Sequence, residues 1–174
     1  GLCCAVLEGE NSLTATDRCN VAVGYAAGLE VTTGIKNTRI GGLAADSLTT
    51  GERNVYVGYT SGDRGTTGDF NTGVGAETLF FNVGGNKNTA VGESALFSMT
   101  AATSTDTHNT AVGFSAGGSV TSGVQNTIVG SPSGDALTDG DQNVAIGYAT
   151  LSPDTLGTKS KATGTIALGS KKFN

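Results

Sequence analysis

The sequence predicts an all-β fold, a parallel β-roll or β-solenoid built from one repeated coil, and three regularities support this prediction. A unit close to Asn-Thr-Ala-Val-Gly returns with a 17-residue period along most of the chain. Apolar and small residues alternate within that unit, and glycine returns at two fixed places in it. A period of about 20 residues is typical of a supersecondary unit that cannot bury its apolar face alone and therefore stacks on its neighbours.

The copies fill the chain, so we predict a single repeat domain spanning residues 1–174. Successive copies keep the same spacing, except for longer intervals before Asn109 and before Thr165. We number the first residue of each copy as position 0 and count forward from it. About ten coils are expected, and they begin near Cys3, Asn20, Asn37, Asn54, Asn71, Asn88, Asn109, Asn126, Asn143 and Thr165.

Each copy is expected to begin with a short strand whose positions 1 and 3 face the core. Position 3 is apolar in all ten copies and position 1 is β-branched in nine. Side chains two residues apart share one face of a strand, and β-branched residues suit that pleated surface. Position 2 then points outward, although it is alanine in six copies. An apolar outer face predicts a covering partner, for which another copy of this chain is the simplest choice; Arg39, Tyr56, Gly73 and Ile128 interrupt the alanine column.

Glycine at positions 4 and 14 predicts two corners in each coil, where a positive φ or a close backbone approach is needed. Positions 8 and 11 between these corners are often apolar, as at Leu79, Leu96 and Met99. We therefore expect a second, less regular strand there, which meets the valine column across a narrow core. Neighbouring coils would pair in register at roughly 4.8 Å.

Asparagine at position 0 forms a third column. Stacked Asn side chains can hydrogen-bond from coil to coil and satisfy turn backbone groups, so we interpret the column as a structural ladder. A row of ligand-binding asparagines is the alternative. The ladder residues are Asn20, Asn37, Asn54, Asn71, Asn88, Asn109, Asn126 and Asn143.

The charge balance and the apolar pattern disfavour nucleic acid and the bilayer interior as partners. The chain carries 15 acidic and 10 basic residues, a net charge of −5, whereas nucleic-acid binding selects for basic faces. Four lysines near the C-terminus, Lys159, Lys161, Lys171 and Lys172, are interpreted as a solvated end, with a phosphate-binding patch as the alternative. No apolar run is long enough to span a bilayer, and no signal peptide is evident, so a mature form or a fragment is expected.

The three cysteines lie near the start of the sequence, at Cys3, Cys4 and Cys19. An odd number leaves at least one thiol free or paired between chains. Cys3 and Cys19 would be diagonal neighbours in a stack of coils, which makes them a candidate disulfide. The alternative is three small buried residues that cap the stack.

No catalytic motif is present, so we expect no enzymatic activity, no cofactor and no metal. The sequence has no nucleophile elbow, phosphate loop or HExxH pattern, and it has a single histidine, His108. His108 lies in the four-residue insertion of the long repeat with Asp106 nearby, as expected for a surface loop. Asp135, Asp139 and Asp141 cluster near one corner; they are interpreted as solvated turn acids, with a cation site as the alternative.

The pattern Asn-Thr-Ala-Val-Gly-x-x-Ala-Leu, at Asn88 to Leu96, resembles repeats of bacteriophage tail-fibre and related virion proteins. The segment Asn143 to Gly147 is also similar to the head repeats of trimeric autotransporter adhesins. The resemblance implies a left-handed β-roll, an intertwined or side-by-side homotrimer, and attachment to a host-surface glycan or protein. It also implies an extracellular location, on a virion tail or fibre or on a cell surface. The 17-residue period departs from the shorter adhesin repeat.

Three functions are therefore considered for the chain. The first is a trimeric fibre or adhesin segment, the second a filament subunit that polymerises end to end, and the third an ice-binding solenoid that uses the Thr column at position 1. Attachment is expected from large side chains that interrupt the repeat, because exposed aromatic residues are enriched at recognition surfaces. The candidates are Tyr25, Tyr59, Phe114 and Tyr148, with Phe80, Phe81 and Phe97 as further interruptions. The alternative is that several of these residues pack between chains.

Overall fold

The computed structural model describes residues 19–152 and 164–169, and these residues form an all-β parallel solenoid without a helix. The predicted solenoid class is confirmed; the predicted coil that begins near Cys3 lies outside the described residues. The strands are β1 (Val21–Val23), β2 (Thr38–Ile40), β3 (Val55–Val57), β4 (Thr72–Val74), β5 (Gly85–Asn86), β6 (Thr89–Val91), β7 (Thr105–Asp106), β8 (Thr110–Val112), β9 (Thr127–Val129), β10 (Val144–Ile146) and β11 (Ile166–Leu168).

Nine of these strands form one parallel sheet in the order β1-β2-β3-β4-β6-β8-β9-β10-β11. Equivalent positions of successive coils pair directly, so that Ala22 lies opposite Arg39 and Ala90 opposite Ala111. Seven complete turns separate β1 from β10 within the described residues. At about 4.8 Å per coil, the nine strands extend over roughly 40 Å.

The strand faces are the reverse of those that the sequence predicts. Position 2 lies in the core, where Ala90, Ala111 and Ala145 are fully buried. Position 3 faces outward, with Ile40 and Ile146 each 40% exposed. The narrow interior explains this choice, because side chains at positions 8 and 11 already fill it and a small residue at position 2 leaves them room. The prediction that valine and isoleucine face inward is therefore wrong.

The predicted second strand is also wrong, because the chain turns between positions 4 and 10. Non-glycine residues adopt left-handed φ values there at positions 6 and 8, for example Ser94 at 57° and Leu96 at 51°. A third left-handed column precedes the asparagines, as at Gln125 with a φ of 58°. Repeated left-handed residues bend the chain into a turn instead of extending it as a strand. Strands β5 and β7 pair as a short second sheet beside the long repeat.

Both glycine columns occupy corners, for two different reasons. Gly24 has a φ of 133°, a conformation that an L-residue rarely adopts, and an added Cβ would lie 2.5 Å from the carbonyl oxygen of Gly41. Gly34 lacks the positive φ, but its added Cβ would lie equally close to the oxygen of Gly51. The first column is needed for conformation and for stacking, and the second for stacking alone.

The core is filled by pairing large and small side chains at positions 2 and 8. Where position 2 is alanine, as at Ala90, position 8 can hold a leucine, Leu96, and both are fully buried. Where position 2 is Ile128, position 8 is Gly134, whose added Cβ would lie 2.9 Å from the Ile128 Cδ1 atom. Tyr56 is accommodated in the same way by a glycine in its own coil. The interruptions of the alanine column therefore lie in the core, and the expectation that they lie on an outer face is wrong.

Arg39 is the most unusual core residue, since its side chain is 1% exposed. Gly28 makes room for it, because an added Cβ there would overlap the guanidinium. The Nε and Nη2 atoms donate no hydrogen bond to any atom of the described residues. Burial lowers the pKa of Arg39 to about 10, so the group remains a cation at neutral pH. Tyr56 lies one coil further on, and burial raises the pKa of its hydroxyl above the usual value.

Candidate functional site

The position-0 asparagines form a continuous buried ladder through the described coils. At Asn126, the Oδ1 atom accepts the backbone N–H of Asn143 at 2.9 Å and its Nδ2 at 3.0 Å. The Asn126 Nδ2 atom also donates to the oxygen of Gly140 at 2.8 Å, across the corner of its own coil. The members are Asn20, Asn37, Asn54, Asn71, Asn88, Asn109, Asn126 and Asn143, none more than 8% exposed. Their amide groups hydrogen-bond to backbone and Asn side-chain atoms of the same and adjacent coils, so they are not available to a ligand.

Replacing Asn126 with alanine is expected to lower the free energy of unfolding by about 2–3 kcal/mol, because buried backbone groups on two coils lose their partners. Denaturant unfolding followed by circular dichroism measures the change. The neighbouring Gln125→Ala variant is the control, because Gln125 is exposed and, among the described residues, its side chain bonds only to that of Gln142. A loss at Asn126 no larger than at Gln125 would contradict a structural role for the ladder.

The outer face of the nine-stranded sheet is a strip of apolar and threonine side chains. Valine, isoleucine or leucine occupies position 3 in each described coil, and Val74 and Val112 are 38% and 37% exposed. Threonine occupies position 1 in five of the strands, including the exposed Thr127. We call this surface the sheet face; it consists of positions 1 and 3 of the nine strands.

The four candidate attachment residues lie at one edge of the sheet face. Each occupies position 5, directly after a corner glycine, and each is exposed. The exposed fractions are 72% for Tyr25, 60% for Tyr59, 55% for Phe114 and 64% for Tyr148. The ring of Tyr59 covers the neighbouring coil at Gly42, where an added Cβ would lie 3.4 Å from it. The structure thus places the four residues in one column, which we call the tyrosine column, separated by coils with smaller or polar residues.

The three remaining aromatic interruptions form a cluster on the turn side of the solenoid, at positions 9 and 10. Phe80 and Phe97 stack with ring centroids 5.2 Å apart and planes 16° apart. Phe81 meets both rings edge-on. The Arg64 guanidinium lies 5.8 Å from the Phe80 ring. The aromatic interruptions thus form two groups, this cluster at positions 9 and 10 and the tyrosine column at position 5.

The three clustered aspartates make separate contacts. Asp135 accepts the Ser119 hydroxyl at 2.6 Å, and Asp141 accepts the Val124 backbone N–H at 2.9 Å. Asp139 accepts the hydroxyl of its neighbour Thr138. Among the described residues, no group of three His, Cys, Asp or Glu side chains is arranged to hold a metal ion.

The long repeat carries an exposed charged group formed by Lys87, Asp106 and His108. Asp106 pairs with the Lys87 ammonium at 2.5 Å and lies 3.8 Å from the His108 Nε2 atom. The hydrogen bond from Lys87 lowers the pKa of Asp106 below its usual range. Paired, exposed charges of this kind contribute little to stability, which fits the surface loop expected for the insertion.

The candidate disulfide between Cys3 and Cys19 stays a prediction, because Cys3 lies outside the described residues. Cys19 itself is exposed and has a left-handed φ of 42°. It stands directly before the first asparagine of the ladder.

No helix that could cross a membrane occurs in residues 19–152 or 164–169. Comparison of the chain with protein families, with curated sequences and with solved structures found no match. The function therefore has to be inferred from the surfaces themselves.

Proposed function

We propose that this chain is the rod segment of a fibre, a virion tail fibre or a cell-surface appendage, which assembles as a homotrimer outside the cell and presents an attachment surface. The observation that carries the proposal is the sheet face. A strip of partly exposed apolar side chains that extends over nine strands is typical of a surface that another protein covers.

A second copy of the same chain is the partner that fits this strip best. The sheet face repeats with the strand spacing, and an identical copy repeats with the same spacing, so parallel copies can match coil by coil. Three copies related by one three-fold axis also form a closed assembly, in which the sheet face of every chain is covered by its neighbours. The face carries no lysine, arginine, aspartate or glutamate at positions 1 and 3, so identical copies meet without charge repulsion.

Light scattering in dilute buffer is expected to give about three times the chain mass of 17.3 kDa. The Val74→Glu, Val112→Glu double variant should dissociate to monomers. Both residues lie on the sheet face, and burying an unpaired carboxylate between chains costs roughly several kcal/mol of free energy. Thr67→Glu with Ser122→Glu is the matched control, because both residues are exposed outside the sheet face. A monomeric wild-type protein, or a trimer that survives the valine substitutions, would refute the proposed assembly. Long fibres in particle images would indicate the end-to-end filament instead.

The tyrosine column supplies the attachment part of the proposal. Tyr25, Tyr59 and Tyr148 are each at least 60% exposed, and their rings offer apolar area with a hydroxyl at the tip. Three copies per rod would multiply a weak single contact. Replacing the three residues with alanine should reduce binding to a cognate cell surface while the trimer persists. Unchanged binding and an unchanged trimer would exclude them as the contact site.

Ice binding is the second candidate, because the Thr column at position 1 lies on the outward face. Thr38, Thr72, Thr89, Thr110 and Thr127 share that face with the valine column. Three valines and an isoleucine interrupt the column, at β1, β3, β10 and β11. Thermal hysteresis of the purified protein separates this candidate from the fibre.

A further inference from the structure

A groove of about 320 Å³ opens on the turn side of the solenoid, where the position-9 column loses its side chain. Gly118 leaves a gap one coil high between Phe97 and Asp135, and both of these residues line the groove. The volume lies at the lower end of the range for small-ligand sites, about 300–1,000 Å³. The column reads Leu29, Asp46, Asp63, Phe80, Phe97, Gly118, Asp135 and Ser152.

The aromatic wall of this gap is held rigidly. Phe80 stacks on one face of the Phe97 ring, and Phe81 makes a T-shaped contact with Phe97, with ring centroids 5.2 Å apart and planes 86° apart. The backbone oxygen of Gly118 accepts the Ser98 N–H at 3.1 Å, so the coil of Gly118 follows that of Phe97 in register. The stack of rings therefore ends at Phe97, whose second face is turned toward the gap.

The height of the gap matches one ring. Phe97 and Asp135 occupy the same position two coils apart, which corresponds to about 9.5 Å along the solenoid axis. A ring placed midway would lie roughly 4.8 Å from Phe97, near the spacing at which rings stack. The missing side chain at Gly118 thus leaves space for a ligand ring that continues the aromatic stack.

Two carboxylates border the gap, each fixed through one oxygen. The Ser119 hydroxyl donates to the Asp135 Oδ1 atom at 2.6 Å, and the Ser94 hydroxyl donates to the Glu77 Oε2 atom at 3.2 Å. Within the described residues, the second oxygen of each carboxylate accepts no hydrogen bond. These oxygens can accept from ligand hydroxyl or amino groups, and charge-assisted hydrogen bonds are the strong ones.

The charge of the groove restricts the ligand further. Glu77 and Asp135 are its only charged lining residues among those that the structure describes, with no lysine or arginine in the lining. An anionic ligand would be repelled, whereas a neutral or cationic one would not. A flat apolar ring face combined with several hydroxyl groups describes a pyranose sugar.

We propose that the Gly118 gap binds one sugar ring, neutral or amino-bearing, stacked on Phe97 and hydrogen-bonded by Glu77 and Asp135. The inference rests on the attachment role proposed above and gives that role a ligand class and a second location, at positions 6, 9 and 10 of the coils instead of position 5. Acidic sugars are excluded by the same two carboxylates.

Saturation-transfer NMR on the intact protein tests the site with methyl glycosides of glucose, galactose and mannose, with glucosamine and with glucuronic acid. At least one neutral sugar or glucosamine should bind, and glucuronic acid should not. Gly118→Leu fills the gap and should weaken binding by about tenfold or more. The position accepts side chains in other coils, and an added Cβ lies 3.3 Å from its nearest contact, the Ser115 oxygen.

A second variant tests the groove without adding a side chain to the backbone position at Gly118, so a folding defect of Gly118→Leu cannot explain both results. Glu77→Gln with Asp135→Asn should weaken glucosamine binding and remove the discrimination against glucuronic acid. Glu30→Gln with Glu93→Gln, both exposed outside the groove, is the matched control and should change neither. Absence of sugar binding in the wild-type protein, or binding that survives both groove variants, would overturn the site. Scattering of the same samples reports the trimer separately, so a failed sugar site and a failed rod assembly remain distinguishable.

Discussion

Replacing Ala90 with aspartate is expected to unfold the solenoid or to lower its free energy of unfolding by about 4 kcal/mol or more. Ala90 is fully buried between Gly73 and Ala111 in the sheet, and its core cluster includes Leu79 and Leu96. A carboxylate there would lose its water among the apolar side chains of this cluster, none of which is a cation. The narrow core has no space to turn it outward.

The adjacent substitution, Val91→Asp, is the matched comparison. Val91 is only partly buried and lies on the sheet face, so the isolated coil stack should lose about 1 kcal/mol or less. The same change should dissociate the proposed trimer. Thermal melting followed by circular dichroism measures the first effect, and light scattering the second. If Val91→Asp unfolds the chain while Ala90→Asp is tolerated, the faces described above are reversed.

The fold class could be predicted because the same residues recur at the same positions of each copy, which defines how neighbouring coils align. Eight asparagines in phase, with glycine four residues after each, leave few alternatives to stacked coils. The orientation of each strand could not be predicted in the same way. Alternation identifies two faces, but Val91 is more apolar than Ala90, and hydrophobicity alone selects valine for the core. The residues on the other side of the coil determine which strand face is buried. Leu96 and Met99 occupy the interior, so only a small residue such as Ala90 fits opposite them.

The turn region was beyond prediction for a conformational reason. Leu79 and Leu96 have left-handed φ values of 51°, a region in which leucine is disfavoured by about 1–2 kcal/mol. Apolar residues in such a segment resemble a strand in sequence. Burial of the leucine side chains and hydrogen bonds between coils compensate for that cost, and both depend on residues in the adjacent coils.

The two candidate attachment sites, the tyrosine column and the Gly118 gap, differ in how well the sequence predicts them. Tyr25 and Tyr59 stand out as large residues that interrupt a regular column. Gly118 is the reverse case, because the signal is a missing side chain in a column that varies from coil to coil. Its significance becomes visible only when Phe97 and Asp135 are known to lie on either side of it.

Packing in the core makes a final prediction, on Ile128 and Gly134. Ile128→Ala should cost about 2–5 kcal/mol through the cavity it leaves, since Ile128 is fully buried. Gly134→Leu should cost about 3 kcal/mol through overlap with the Ile128 side chain and the left-handed backbone at a φ of 68°. Combined, the two substitutions recreate the Ala90 and Leu96 pairing, in which leucine occupies the same left-handed position.

The double variant should therefore be more stable than either single variant, with an interaction energy of about 2–3 kcal/mol between the two sites. Denaturant unfolding of the four proteins in the cycle measures that energy. Complete recovery is not expected, because Gly117 also faces Ile128 and leaves part of the cavity unfilled. Leu48→Val combined with Ile128→Ala is the control cycle, since these residues lie several coils apart and their effects should add within about 0.5 kcal/mol. Additive losses at Ile128 and Gly134 would show that the side chains at positions 2 and 8 of one coil do not share one space. The same size pairing, which accounts for Tyr56 beside Gly62, would then be wrong.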